Sequence, residues 1–175
     1  KILLDITPPA LSIIIGVQEN AVYSTSPVIN YTKQTGTIFT AKINGQDFEW
    51  GSVCDAPGGD FELVITAIRE SNGFSNITTI NFVIDKVGPL MPSIIGIEDE
   101  AVYSSGANID VTRVDGVEYT ATIDGNDFEL GQLYSVSGTH NVHVIASKIL
   151  NGLTSVKTIS FKIDPEAPAS PIILG

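Results

Sequence analysis

Apolar and polar residues alternate along several stretches of the chain. Residues 39–43 read Phe-Thr-Ala-Lys-Ile, and the stretches 63–67 and 80–84 also place apolar residues at every second position. This period of two is typical of β-strands with one buried face and one solvated face. No segment of ten or more residues shows a helical period. We therefore expect half-buried antiparallel strands.

The second half of the chain repeats the first. The tetrapeptide Ala-Val-Tyr-Ser at residues 21–24 returns at 101–104, a shift of 80 residues. The segment 80–85 returns at 159–164, a shift of 79 residues, which places a one-residue deletion near Gly58. Such a period predicts tandem modules of roughly 80 residues each.

A proline-bearing junction separates the two modules and recurs in part at both ends of the chain. It follows the last strand of one module and leads into an apolar run that ends in glycine. We expect the chain to be an excerpt from a longer array. The predicted segments are the end of a preceding repeat (residues 1–5), module 1 (6–85), module 2 (86–164) and the start of a following repeat (165–175).

Turn dipeptides agree with the strand pattern. Asn-Gly at 44–45 and Asp-Gly at 124–125 follow directly after a strand, which predicts hairpins with type I′ turns. Asn-Gly at 72–73 and 151–152 predicts another tight turn before the last strand of each module. About seven short strands in roughly 80 residues indicate a β-sandwich.

The order of motifs in module 2 carries a family resemblance. It opens with Pro-x-Ile-Ile-Gly (92–96), continues through Ala-x-Ile-Asp-Gly-x-Asp-Phe-x-x-Gly (121–131), and ends with Ile-Ser-Phe-Lys-Ile-Asp (159–164) before a proline. This order resembles the bacterial immunoglobulin-like modules that stand in tandem in exported proteins, mostly of Gram-positive bacteria. The resemblance covers nearly the whole chain. It implies an all-β fold of two tandem immunoglobulin-like β-sandwiches joined by a short proline-containing linker, and it supplies no catalytic residues.

Charge and cysteine content narrow the partners and the chemistry. The chain has 20 acidic and 9 basic residues and a net charge of −11, so we expect no nucleic-acid partner. No apolar run approaches the roughly 18 residues of a membrane span in this segment. Cys54 is the single cysteine, and Tyr134 stands at its place in module 2. We interpret Cys54 as a small packed side chain rather than a nucleophile.

No catalytic or cofactor-binding residues are predicted. The two histidines, His140 and His143, stand where module 1 has Phe61 and Val64, and in a strand they would fall on opposite faces. They therefore cannot act together on a substrate or metal. The acidic segment 98–100 is interpreted as a solvated loop.

Calcium is the bound ion that the sequence suggests most directly, because calcium takes oxygen ligands from turns and module junctions. One candidate is the turn 124–127. The other comprises junction aspartates and a nearby acidic loop: Asp5, Asp85, Asp164, Glu98, Asp99 and Glu100. We favour a plain hairpin turn for the first and strand-ending backbone bonds for the second, and therefore predict no metal site.

Aromatic residues offer one candidate sugar-binding platform. Trp50 lies beside Phe48, but Leu130 replaces Trp50 in module 2, so we favour a partly buried Trp50 and a core position for Phe48 and its counterpart. The matching Tyr23 and Tyr103 are expected to bond to backbone through their hydroxyl groups.

These observations favour a non-catalytic spacer or stalk in an extracellular bacterial protein, either wall-attached or secreted. Its expected partners are neighbouring immunoglobulin-like repeats of the same chain. One alternative is an adhesive module that binds a host protein or polysaccharide, and another is an accessory region of a large secreted carbohydrate-active enzyme. Outward positions of the predicted strands are mostly Thr, Asn, Ser and Lys, which favours the spacer.

Overall fold

The computed structural model describes residues 6–166, and the chain divides into two compact units between Val87 and Gly88. All regular secondary structure in the described residues is β-strand, with no helix. Unit 1 contains β1 (Ile14–Ile15), β2 (Ala21–Tyr23), β3 (Asn30–Tyr31), β4 (Thr37–Ile43), β5 (Gln46–Phe48), β6 (Gly59–Arg69) and β7 (Ser75–Ile84). Unit 2 contains β8 (Ile94–Ile95), β9 (Ala101–Tyr103), β10 (Ala107–Val111), β11 (Val117–Ile123), β12 (Asn126–Phe128), β13 (Gln132–Tyr134), β14 (Gly138–Lys148) and β15 (Thr154–Ile163).

Both units have the same two-sheet topology. The five-stranded sheet of unit 1 has the order β2-β7-β6-β4-β5, and that of unit 2 has the equivalent order β9-β15-β14-β11-β12. The smaller sheet pairs β1 with β3 in unit 1 and joins β8, β10 and β13 in unit 2. In unit 1 an isolated bridge between Val28 and Val53 stands where β10 meets β13. The predicted all-β, immunoglobulin-like sandwich is confirmed.

Alternating residues of the two sheets form one core in each unit. Along β6, the side chains of Leu63, Ile65 and Ala67 are buried. Glu62, which precedes Leu63 and points to the other face of the sheet, is exposed. The cores therefore follow the predicted period of two. The buried residues of unit 1 are Val17, Ile29, Phe39, Ala41, Cys54, Leu63, Ile65, Ala67, Phe82 and Ile84. Those of unit 2 are Ile94, Ile97, Ala107, Ile109, Val111, Ala121, Ile123, Val142, Val144, Ile159, Phe161 and Ile163.

The hairpins after β4 and β11 have the predicted turns. Asn44 and Gly45 adopt φ values of 47° and 80°, and Asp124 and Gly125 adopt 50° and 80°. Positive φ at both central positions is the requirement of a type I′ turn. The short β5 and β12 then pair back onto β4 and β11.

Two strand pairs depart from the antiparallel expectation, because β2 and β9 run parallel to β7 and β15. The chain leaves the smaller sheet after β1 and joins the larger sheet at β2. This crossing brings Gly16 against the backbone just before β3, where a Cβ atom would overlap the carbonyl oxygen of Val28. Gly96 approaches the carbonyl oxygen of Asn108 in the same way. The glycine that ends each apolar opening run is therefore required by this close approach.

Candidate functional site

The chain enters and leaves each unit at opposite ends of its last strand. In unit 1, Asn72 Nδ2 donates a 3.3 Å hydrogen bond to the carbonyl oxygen of Thr7, so the incoming chain lies beside the turn before β7. The outgoing chain follows Ile84, at the far end of β7. In unit 2, Ser155 at the start of β15 donates a 2.8 Å hydrogen bond to the carbonyl oxygen of Leu90. A ten-residue strand separates these ends by about 30 Å.

Parallel pairing fastens the second strand of each unit to its last strand. The Asp85 amide donates a 2.9 Å hydrogen bond to the carbonyl oxygen of Tyr23, and the Asn20 amide donates one of 2.7 Å to that of Asn81. The equivalent bonds of unit 2 join Asp164 to Tyr103 at 2.9 Å and Glu100 to Ser160 at 2.6 Å. Because the chain enters at one end and leaves at the other, tension along the chain would shear these bonds together.

The smaller sheet of unit 1 presents apolar side chains to solvent. Ile13, Ile15, Val28 and Val53 are 72%, 52%, 51% and 51% exposed. Ile15 is paired with Asn30, and Val28 with Val53, so these side chains share the outward face. We call this surface the outer apolar face. The smaller sheet of unit 1 thus differs from the mainly polar outward positions predicted from the longer strands, because its short strands and the adjoining residues contribute Ile and Val.

Unit 2 retains part of this surface. Ile95 is 48% exposed and paired with Asp110, and Leu133 is 65% exposed and paired with Asn108. These two residues match Ile15 and Val53. The polar Ser93 and Asn108 replace the other two apolar residues of unit 1. The outer apolar face therefore shares two positions between the units.

The buried His140 and its partly exposed neighbours form a polar cluster in unit 2. The His140 Nδ1 atom lies 2.7 Å from Asp124 Oδ2 and 3.2 Å from the Tyr134 hydroxyl, and its Nε2 atom lies 2.9 Å from the carbonyl oxygen of Val136. Both ring nitrogens thus contact oxygen atoms of the same unit. Burial raises the pKa of Tyr134. These hydrogen-bond contacts join three segments at the end of the sandwich and do not present the His140 ring to a substrate.

His143 lies on the other face of β14. It is exposed, and its Nδ1 atom lies 3.0 Å from Thr158 Oγ1. The prediction that the two histidines occupy opposite faces is confirmed.

The Asp124 carboxylate, one of the calcium candidates, is engaged by protein groups. Its Oδ1 atom accepts a 2.8 Å hydrogen bond from the Asn141 amide, and its Oδ2 atom faces His140. The Asn141 amide and then the His140 ring lower the pKa of Asp124. Asn44 accepts the equivalent bond from the Glu62 amide at 2.8 Å. The uncharged Asn44 side chain therefore accepts the same backbone hydrogen bond in unit 1 as Asp124 does in unit 2. The shared role of this position is to stabilise the hairpin turn.

The junction aspartates also bond to backbone. Asp85 Oδ1 accepts a 3.1 Å hydrogen bond from the Val87 amide, and Asp164 Oδ1 accepts one of 3.3 Å from that of Glu166. Lys162 donates to Asp164 Oδ2 at 2.7 Å, which lowers the pKa of Asp164. In the acidic loop, Asp99 Oδ1 accepts a 2.8 Å bond from the Ser160 amide. Asp5 lies outside the described residues.

Metal-ligating side chains do not cluster in the part of the chain that the structure describes. No group of three or more His, Cys, Asp or Glu residues within 6–166 could hold a metal ion. Between the same limits, no helix is long and apolar enough to cross a membrane.

Trp50 is partly buried, as predicted. Its Nε1 atom donates a 3.0 Å hydrogen bond to the carbonyl oxygen of Phe39, and its ring lies 4.6 Å from that of Tyr31. Phe48 packs against the core but remains partly exposed, as does Phe128. The Trp50 ring is therefore fastened into the unit rather than displayed as a platform.

Cys54 and the two matching tyrosines also adopt their predicted roles. Cys54 is buried in the core of unit 1, and burial raises the pKa of its thiol. The Tyr23 hydroxyl accepts a 2.9 Å hydrogen bond from the Gln18 amide, and the Tyr103 hydroxyl accepts one of 2.8 Å from that of Glu98.

No family model matches the chain, and no curated protein matches it. Similar solved structures include fibronectin(III)-like modules of Clostridium thermocellum CbhA, with 13% identity, 93% of this chain and 100% of that chain covered, and a TM-score of 0.49. Chimeric titin Z1Z2 functionalized with a decorin peptide has 10% identity, covers 90% and 100%, and has a TM-score of 0.31. Human protocadherin-24 EC1-2 has 7% identity, covers 90% and 99%, and has a TM-score of 0.31. At these values the similarities carry no conclusion about function.

One surface was not found from the sequence. The outer apolar face arises from strands of two or three residues, which are too short to show a period.

Proposed function

We propose that the chain is a pair of non-catalytic spacer modules in an extracellular bacterial protein. The observation that carries this proposal is that each unit takes in the chain at one end of its last strand and releases it at the other. Such modules can be added in series, and each one adds about 30 Å of reach. The resemblance to tandem modules of exported proteins supports the extracellular, surface-attached or secreted setting. Neighbouring repeats of the same kind are the expected partners.

The strand pairing supports a role under tension. Force applied along the chain would load β2 against β7 and β9 against β15 in the direction of the strands, so several hydrogen bonds must break at once. Engagement of Asp124 and His140 within the fold supports the non-catalytic part of the proposal, because neither is left to act on a substrate.

Single-molecule pulling from the two ends of the chain tests this role. We expect two unfolding events, each lengthening the chain by roughly 250 Å, the extended length of about 80 residues less the folded span. Both should need a sustained load typical of strands separated by shear. Units that extend gradually without separate events would contradict a load-bearing spacer.

A second candidate function is adhesion, favoured by the outer apolar face. Exposed apolar surface shared by both units is a feature of protein interaction sites, and repetition converts weak contacts into avidity. The ligand would be a host protein or a polysaccharide. A third candidate function is that of an accessory region in a large carbohydrate-active enzyme. Such modules would then accompany a catalytic domain.

Binding of the densely immobilised chain to a panel of matrix proteins and polysaccharides separates these roles. Saturable binding that is lost in an Ile15→Thr, Val53→Thr double variant would favour adhesion. An Ile38→Thr variant on the outward face of the five-stranded sheet is the matched control, because Ile38 is 49% exposed. No binding across the panel would favour the spacer.

A further inference from the structure

The outer side of β11 is open over part of its length. β11 pairs with β14 along all seven of its residues, but β12 covers only residues 121–123 on the other side. After β12 the chain turns toward the smaller sheet, where the Gly131 amide donates a 2.7 Å hydrogen bond to the carbonyl oxygen of Ile109. Residues 117–120 are therefore left as a sheet edge, which we call the β11 edge.

The backbone groups of Tyr119 point toward this open side. At the two ends of β11, even-numbered residues bond to β14 and its extension: the Asp124 amide donates to the carbonyl oxygen of Asn141, and that of Gly116 accepts from the Ile149 amide. Because backbone groups alternate sides along a paired strand, those of the odd-numbered Tyr119 face away from β14. Among the described residues, no group donates to its carbonyl oxygen or accepts from its amide. Such an edge can pair with another strand.

Unit 1 closes the equivalent edge with a tryptophan. The carbonyl oxygen of Phe39, at the same position of β4, accepts a 3.0 Å hydrogen bond from Trp50 Nε1. The Trp50 ring also packs 4.6 Å from the Tyr31 ring and fills the space beside the strand. In unit 2, Leu130 and Val111 stand at the positions of Trp50 and Tyr31. Both are smaller and have no side-chain donor, so the edge that unit 1 closes is open in unit 2.

The smaller side chains leave a pocket of about 460 Å³ beside the β11 edge. Its apolar residues all pack against the core of unit 2: Tyr119, Ala121, Phe128 and Leu130. Tyr119 and Ala121 are alternate residues of β11, and Phe128 is paired with Ala121, so these side chains share the inward face of the sheet. An apolar side chain that enters from the edge can therefore pack between the two sheets.

Acidic side chains flank the edge on the opposite, outward face of the sheet. Glu118 alternates with Tyr119 along β11, and Asp127 and Glu129 alternate with Phe128; all three acidic residues are exposed. The one basic residue in the pocket lining, Arg113, is paired with Asp110 at 3.4 Å. The outward side of the edge therefore favours a cationic partner.

We propose that the β11 edge binds an extended peptide of another protein in which apolar and basic residues alternate. The peptide adds a strand beside residues 117–120, and its backbone bonds to the amide and carbonyl groups of Tyr119. Residues directly opposite in paired strands take the same face, so the peptide residue opposite Tyr119 directs an apolar side chain into the pocket. Its neighbours in the peptide take the outward face, where Glu118 and Glu129 favour Lys or Arg.

The inference concerns unit 2 alone and a different surface from the outer apolar face. It does not rest on the spacer role, which depends on where the chain enters and leaves each unit. Unit 1 serves as an internal comparison, because Trp50 occupies both the pocket and the backbone acceptor there.

Titration of the whole chain with short peptides, followed by amide NMR, tests the proposal. The probe is Lys-Val-Lys-Val-Lys with blocked ends. We expect a dissociation constant on the order of 1 mM, with shift changes centred on Tyr119 and Leu130. A Glu-Val-Glu-Val-Glu peptide should bind at least about tenfold more weakly, because its carboxylates meet Glu118 and Glu129.

Backbone methylation of the probe separates strand addition from attraction between charges. The valine amides face the β11 edge and the lysine amides face away from it, because the two kinds of residue alternate along a strand. Methylating both valine nitrogens should abolish binding. Methylating two lysine nitrogens instead keeps the same charge and composition and should leave the affinity nearly unchanged.

Variants locate the site. Leu130→Trp should close the edge as Trp50 does in unit 1, and should weaken binding at least about tenfold. Leu133→Trp places the same ring at a 65% exposed position of the smaller sheet and should have no effect. Glu118→Gln removes one outward charge and should weaken binding roughly threefold.

Three results would each overturn the inference: no shift changes with the probe, equal binding of the peptide methylated on its valines, or unchanged binding in Leu130→Trp. Shift changes centred on unit 1 would also overturn it and would assign the peptide to the outer apolar face. The methylated peptides need no variant, so the test stays decisive if Leu130→Trp fails to fold.

Discussion

The Asp85 amide donates a 2.9 Å hydrogen bond to the carbonyl oxygen of Tyr23, which fastens the end of β7 along β2. Asp164 and Tyr103 repeat this contact in unit 2 at the same distance. Each bond joins the place where the chain leaves a unit to the strand near its beginning. Pulling on the chain therefore loads the bond directly.

Removing this donor should weaken unit 1 under force. Asp85→Pro deletes the amide hydrogen, which costs about 1 kcal/mol at equilibrium and should lower the unfolding force of unit 1. Forced unfolding follows the unfolding rate, so single-molecule pulling is the appropriate measurement. Asp85→Ala keeps the amide and should unfold at a force close to that of the parent chain. Equal forces for Asp85→Pro and the parent chain would show that this bond carries no load.

Gly96→Ala should strongly destabilise unit 2. Gly96 has a φ of 87°, and an added Cβ atom would overlap the carbonyl oxygen of Asn108. Backbone strain and overpacking together should cost about 3 kcal/mol or more. Gly116 has a similar φ of 75° with nothing within 4 Å of its added Cβ, so Gly116→Ala isolates the strain, about 1 kcal/mol. Urea unfolding measures both, and equal losses would mean that the close approach relaxes without cost.

Acid should weaken unit 2 through Asp124. The Asn141 amide and the His140 ring lower its folded-state pKa below the ordinary value of 3.8. The stabilising contribution of the carboxylate is therefore complete above about pH 4 and is lost as the pH falls through the lowered pKa. Because Asp124 is partly exposed, the contribution should be below about 1 kcal/mol.

Comparison with Asp124→Asn isolates this contribution. Asparagine can still accept from the Asn141 amide, as Asn44 accepts from Glu62 in unit 1. The free energy of unfolding, followed through the Asn141 amide by NMR in urea between pH 2 and 6, should lose the Asp124 step in the variant. An unchanged acid dependence would assign the step to another carboxylate.

The Cys54 thiol should react slowly in the folded chain. It is buried, and burial raises its pKa, so both access and the thiolate fraction are reduced. A thiol-specific chromogenic reagent should react at least about tenfold more slowly with the native protein than with protein in urea. Because Cys54 is the single cysteine, the measured reaction rate belongs to that thiol alone. Fast labelling of the native protein would place the thiol at the surface.

The sequence by itself determined the duplication, the faces of the long strands and the hairpin turns. Residues 39–43, 63–67 and 80–84 point as their period requires, because burial of alternate side chains needs only local geometry and a facing sheet. The turn at Asn44 and Gly45 was equally predictable, since few other residues tolerate positive φ at both positions.

Only the tertiary structure decided the parallel pairing of β2 with β7 and the outer apolar face. Each depends on residues far apart in sequence, and a strand of two or three residues has no measurable period of its own. His140 shows the same limit: its identity was plain, but its contacts with Asp124 and Val136 arise only when β14, the hairpin turn and the segment after β13 meet. Local sequence sets which face a side chain takes, whereas the packing of distant segments sets what it touches.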